Sequence, residues 1–256
     1  MPRFRSLPRL ALAALLFPLF IAFHAPAAAA DDAARFDPAD RAAIEEIVRD
    51  YLLKHPELVL EALQTLEEKH QAAAQAKTRA AIEARRKAIF EDPDDFVYGN
   101  PKGDVTIVEF FDYTCGHCKR SFEPLIDFVD ADGNIRLVLK EFPILGPRAL
   151  EAAKAALAAR KQGRYFEMHR ALFEHEGQLT GKALMEIAAK AGLDGPKLEK
   201  DMADPMLMDV FSRHYALAEA LGIEGTPAFV IGGEMLPGAV DKERLTRVVA
   251  EARAVR

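Results

Sequence analysis

Cys115 and Cys118 are the only thiols in the 256-residue chain, three positions apart in Val105-Thr-Ile-Val-Glu-Phe-Phe-Asp-Tyr-Thr-Cys115-Gly-His-Cys118-Lys119. A thiol attacks a disulfide as its thiolate, so such a pair is reactive only where its surroundings favour the anion. Val105 to Phe111 is short, β-branched and aromatic, and follows the turn signal Asn100-Pro-Lys-Gly103; it predicts a buried strand. Phe122, Leu125, Ile126 and Val129 recur at helical spacing and predict a helix from Ser121 to Val129. The cysteines then sit at a strand-to-helix junction. There, unpaired backbone N–H groups and the positive end of the helix dipole favour a thiolate.

Cys115, at the exposed helix start, is the expected nucleophile. Cys118, one turn further in, is expected to be more buried and to resolve the mixed disulfide. An imidazolium at His117 would stabilise the Cys115 thiolate, each unit of pKa depression being worth about 1.4 kcal/mol. That stabilises the reduced form and makes the disulfide more oxidising. Glu109 interrupts an otherwise apolar strand, and a buried carboxylate is costly without a role or a partner. Strand alternation suggests Lys140 as that partner.

These two cysteines are poor candidates for anything else. A disulfide enclosing two residues constrains the unfolded chain little, so stapling is a weak reason for the pair. A single Cys-x-x-Cys without a second pair makes a structural zinc site a poor fit. His169, His175 and His214 fall in predicted helices without ligand-like spacing to the cysteines, and are read as packing residues. No cofactor is expected.

The elements around the motif fall into three parts. Arg3, Arg5 and Arg9 precede an apolar run from Leu10 to Phe23, too short for a comfortable membrane span, and Ala28-Ala-Ala30 supplies a cleavage site. Residues 1–30 are expected to be a signal peptide cut near Ala30, which places the remainder in a bacterial periplasm without membrane insertion. Its removal takes the formal charge from −6 to −9, and an acidic chain lacking a basic patch excludes nucleic acid as an expected partner.

Residues 31–90 read as a helical arm. Pro38 and Asp40 open a first helix with Ile44, Ile47, Val48, Tyr51 and Leu52 at 3–4 spacing. His55-Pro56-Glu57 starts a second, free of glycine and proline to about Ile89. Leu58, Val59, Leu60, Leu63 and Leu66 crowd its first turns, and the rest is polar or alanine. A hairpin this small cannot bury its own apolar stripe, so the expectation is an oligomerising tip joined to the body by a solvated rod. No heptad seam is sustained, and spacing alone does not set the oligomer order.

Residues 91–256 read as one α/β domain. Phe96-Val-Tyr98, Val105–Phe111 and Ile135–Phe142 are strands around the cysteine helix. A helical block at about 147–221 follows, divided by glycines and prolines. Thr226-Pro227-Ala228-Phe-Val-Ile231, a Gly232-Gly233 turn, Met235-Leu236 and a helix capped by Asp241 close the chain.

The order β-β-α-β, helical block, β-β-α resembles a thioredoxin fold with an inserted helical domain. Glu109-Phe-Phe-Asp-Tyr-Thr-Cys115-Gly-His-Cys118 and Gly225-Thr-Pro227-Ala-Phe-Val resemble the two active-site halves of the DsbA-like disulfide oxidoreductases. Val48-Arg-Asp-Tyr-Leu-Leu-Lys-His-Pro56-Glu resembles the N-terminal region of the suppressor-of-copper-sensitivity protein C (ScsC) branch. The resemblance implies a cis-proline loop at Thr226-Pro227 that pairs with the substrate backbone, and Glu109 as proton acceptor for Cys118. It also implies a homo-oligomer, a trimer, formed through residues 31–90, and a membrane thiol reductase as electron donor.

The function expected is that of a periplasmic protein disulfide isomerase acting on disulfide-containing clients. The Gly-His dipeptide, shared with eukaryotic disulfide isomerases, and the oligomerising arm motivate it. A dithiol oxidase is the alternative within the same chemistry. Outside it stands a copper(I)-binding, copper-tolerance protein that uses the same thiols, since soft ligands suit Cu(I).

Overall fold

The computed structural model describes residues 36–254. The signal peptide expected over residues 1–30 lies outside them. No helix of the described residues is long and apolar enough to cross a membrane. The described residues divide within a helix into two compact units, 36–63 and 64–254.

In the first unit, Asp37 caps α1 (Pro38–Lys54) by accepting from the Ala39 and Asp40 N–H groups. The Asp40 carboxylate takes the Asp37 N–H in return, closing a capping box. Pro38 occupies the first turn, where its missing N–H costs nothing. The helix α2 (Glu57–Ala84) begins after Pro56. No residue of α1 is buried, and Ile47, Leu53 and Leu60 stand well exposed.

The second unit is built on a five-stranded sheet in the order β1-β3-β2-β4-β5. The strands are β1 (Phe96–Gly99), β2 (Val105–Phe111), β3 (Ile135–Glu141), β4 (Ala228–Ile231) and β5 (Glu234–Pro237). β2 and β3 run parallel, and the other pairings are antiparallel. β2 is central and covered on both faces, which is why nearly all its residues are apolar.

Successive residues of β2 serve opposite faces. Val105, Ile107 and Phe111 pack with Phe122, Leu125, Ile126 and Val129 of α4 (Gly116–Asp132), and with Leu245, Val248 and Val249 of α10 (Lys242–Ala254). Val108 and Phe110 pack on the other face with Leu217 and Leu221 of α9 (Met206–Leu221). Between β3 and β4 lie α5 (Pro147–Ala159), α6 (Tyr165–Glu174), α7 (Gly181–Lys190), α8 (Gly195–Met202) and α9.

Two expectations change. The uninterrupted helix from Pro56 to Ile89 is broken at Arg85, and α3 (Arg86–Phe90) follows it. Nor is its later part a solvated rod throughout: Ile82, Ile89 and Phe90 are buried against Val108, Phe110 and Val138. Burial of those three apolar side chains, each worth roughly 1.5–3 kcal/mol, gives the chain a reason to turn where the sequence carries no breaker.

The pairing of Lys140 with Glu109 is also replaced. Register sets Glu109 opposite Leu139 and Lys140 opposite Phe110, so the two side chains leave opposite faces of the sheet. Lys140 instead donates to Asp95 Oδ2 at 2.5 Å and to the Ala88 carbonyl at 2.9 Å.

Candidate active site

The strand-to-helix junction is shaped by a residue that sequence reasoning passed over. Asp112 leaves β2 buried, and its Oδ1 accepts from the Thr114 N–H and hydroxyl, each at 2.7 Å. Its Oδ2 accepts from the Leu145 N–H at 2.9 Å. This Asx turn, legible as Asp-x-Thr, folds the chain back so that the Cys115 N–H reaches the Asp112 carbonyl. Tyr113 is anchored beside it, donating to Glu141 at 2.9 Å, with His169 Nδ1 at 2.8 Å from its hydroxyl.

Cys115 is the N-cap residue of α4, with extended backbone. It is 6% exposed, more covered than its position at a helix start suggested, and Cys118 is fully buried. Both are free thiols. Cys115 Sγ lies 3.2 Å from the Thr226 carbonyl, to which the protonated thiol donates. The Thr226–Pro227 peptide bond is cis. The two sequence halves of the motif, 111 residues apart, thus meet at one sulfur.

The two thiols are driven apart electrostatically. Burial pushes Cys115 up, but hydrogen bonding with the Thr226 side chain, with the Cys118 N–H and thiol and with the His117 N–H outweighs it, and its pKa falls below the usual thiol value. Burial pushes the Cys118 thiol well up, and the Glu109 charge beside it adds to the rise. One sulfur is prepared to be an anion and the other to hold its proton.

Glu109 is 2% exposed on the central strand, on the α4 face. No group among the described residues hydrogen-bonds its carboxyl. Desolvation raises its pKa to about 8. A carboxyl with that affinity beside a buried thiol can exchange a proton with it near neutral pH, and the two titrate as a pair.

His117 is exposed, and its Nδ1 lies 3.1 Å from Arg120 Nη2 rather than against Cys115. The other histidines do not converge here. His169 is buried in an aromatic cluster with Phe111, Phe122 and Phe173, and desolvation first, then Arg170, lowers its pKa to about 3. His214 bridges the Glu141 carbonyl and Asp95 Oδ1. His175 caps α6, and its carbonyl takes the Lys119 ammonium at 2.7 Å.

Asp92, Asp95 and His214 lie close enough together to suggest a cation site. Lys140 already pairs with Asp95 and Arg213 with Asp92, so protein cations fill that role.

The comparisons agree with this architecture. A thioredoxin family model matches residues 91–251, and one described as the copper resistance protein ScsC N-terminal domain matches residues 40–73. The chain is a thioredoxin-family protein of the DsbA-like, ScsC type. A thioredoxin-like oxidoreductase from Silicibacter pomeroyi DSS-3 is 44% identical, with TM-score 0.65, covering 66% of this chain and 98% of its own. A linker-deletion variant of Proteus mirabilis ScsC is 26% identical with TM-score 0.67, covering 87% and 99%.

Among curated relatives, a Na(+)/H(+) antiporter NhaA of Salinispora arenicola is 32% identical over 164 residues, 63% of this chain and 25% of the antiporter. The chain therefore spans about a quarter of the length of the curated relatives it matches. The thiol-disulfide exchange protein alpha-DsbA2 of Wolbachia pipientis is 30% identical with TM-score 0.66, covering 70% of this chain and 97% of its own.

Proposed function

We propose that the chain is an exported, periplasmic protein disulfide isomerase whose arm brings several dithiols together. The observation that carries this reading is the unburied apolar surface of α1 and the start of α2, with Ile47, Tyr51, Leu53 and Leu60 all exposed in a chain that also carries a complete dithiol site. Apolar side chains so placed gain from burial against another copy, here a trimer through residues 31–90.

In the reaction, the Cys115 thiolate attacks one sulfur of a client disulfide, and the second client sulfur leaves as a thiolate. Thr226 and Pro227 hold the client backbone while the mixed disulfide lasts. Isomerisation follows when the client thiolate, or another client thiol, attacks and displaces Cys115, leaving its dithiol unchanged and moving no net electrons. A client that stalls is released by Cys118, which gives its proton to Glu109 and bonds to Cys115. A membrane thiol reductase then returns two electrons to the pair. The protonated state of Cys118 delays that escape, as an isomerase requires.

Two observations favour a rival each. The lowered Cys115 pKa also suits a dithiol oxidase, and the match of residues 40–73 to a copper-resistance domain favours copper(I) as cargo for the thiols. An oxidase would rest as the disulfide in the cell, an isomerase as the dithiol. A copper carrier would bind Cu(I) stoichiometrically with negligible exchange turnover. The deciding experiment is refolding of a scrambled multi-disulfide protein by the full chain and by one lacking residues 31–74. That cut spares Ile82, Ile89 and Phe90, which belong to the catalytic core. Refolding should be lost on truncation while reduction of a simple disulfide persists; equal refolding by both would overturn the isomerase reading.

A further inference from the structure

One guanidinium lies against both residues that separate the two cysteines. Arg120 Nη2 is 3.1 Å from His117 Nδ1, and a Cβ added at Gly116 would stand 3.3 Å from Arg120 Nη1. Helix geometry accounts for it, because positions three and four apart share a face.

A guanidinium offers only N–H donors, so His117 Nδ1 must be a bare acceptor with the ring proton on Nε2. An imidazolium would set N–H against N–H. The positive charge against His117 and Gly116, the two residues between the cysteines, is therefore permanent and belongs to Arg120. Neighbouring charges do not cancel it. Glu123 pairs with Arg170, Asp112 accepts from Thr114 and Leu145, and Lys119 donates to His175. Arg120 makes no ion pair among the described residues.

We propose that Arg120 is a positioning residue of the thiol–disulfide reaction, holding His117 as the neutral Nε2–H tautomer and supplying a fixed charge that favours the reduced Cys115–Cys118 pair. The inference rests on reading Cys115 as the reacting thiol and assigns the charge at the motif to a residue outside it.

The test uses full-length wild type, R120M and R120K. Each is equilibrated with glutathione, protein disulfide plus two thiols giving dithiol plus glutathione disulfide, and the His117 ring nitrogens are read by 15N NMR. Wild type should show the Nε2–H signature and R120M a mixture of tautomers. An exposed charge is worth little, so the reduction equilibrium of R120M should fall about threefold, a potential about 14 mV more negative. R120K should regain most of that potential. A wild-type potential or a wild-type ring spectrum in R120M overturns the proposal. C115S keeping full exchange activity would overturn the site reading itself, separately from anything R120M shows.

Discussion

Glu109 and Asp95 are both buried carboxylates against the same sheet, and they have opposite uses. Asp95 is saturated: Lys140 donates to one oxygen, and His214 lies 3.0 Å from the other. Glu109 has no hydrogen-bond partner among the described residues, and burial raises its pKa to about 8. Glu141 is intermediate in kind. It accepts the hydroxyls of Tyr113 and Tyr165, yet burial still carries it to about 8, because neutral donors do not offset desolvation as a cation does. The partnered acid holds the linker after α3 to the sheet, whereas the solitary one is the proton acceptor we propose for Cys118.

Removing the cation should produce the largest effect. Lys140→Met leaves Asp95 buried without its ammonium and should cost about 3–5 kcal/mol in urea unfolding. Adding Asp95→Asn should recover part of it, since the pair rather than either residue is the unit. Loss below about 1 kcal/mol in Lys140→Met would show that Asp95 is not the charged, saturated group described.

Next in size is the pH dependence of stability. Glu109 and Glu141 hold protons in the fold up to about pH 8 but in the unfolded chain only to about 4.5. The folded state binds the extra protons in that window, so stability is full below pH 4.5 and is lost as pH rises through 8. Glu109→Gln should flatten its share of the slope between about pH 5 and pH 8; an unchanged slope would mean that Glu109 is not desolvated. The smallest effect belongs to Tyr165→Phe, which leaves Glu141 its Tyr113 bond and should cost about 1 kcal/mol, read from the unfolding midpoint.

The strands and helices were more legible in the chain than this contrast, and the failures are instructive. The strand Val105–Phe111 and the helix after it announce themselves because both faces of one and a single stripe of the other are apolar. The insert helices are separated by glycine and proline, so their limits fall close to expectation. Glu109 stood out because a charge in an apolar strand has to be explained. Its supposed partner did not follow, because alternation within one strand says nothing about which face the next strand presents. The break at Arg85 is invisible for a related reason: docking of Ile82, Ile89 and Phe90 causes it, and no local residue does. Asp112 could have been found as an Asx-turn signature. Arg120 could have been found from its spacing to His117, had the imidazole not been assumed to face the sulfur.

The central claim, that a solitary buried carboxyl takes the proton of Cys118, is tested most directly by single-turnover release of a mixed disulfide formed at Cys115. Release should accelerate with pH in the wild type, with a midpoint near pH 8 where Glu109 becomes an acceptor. In Glu109→Gln it should be about a hundredfold slower and lose that midpoint. Release at the wild-type rate in Glu109→Gln would contradict the account.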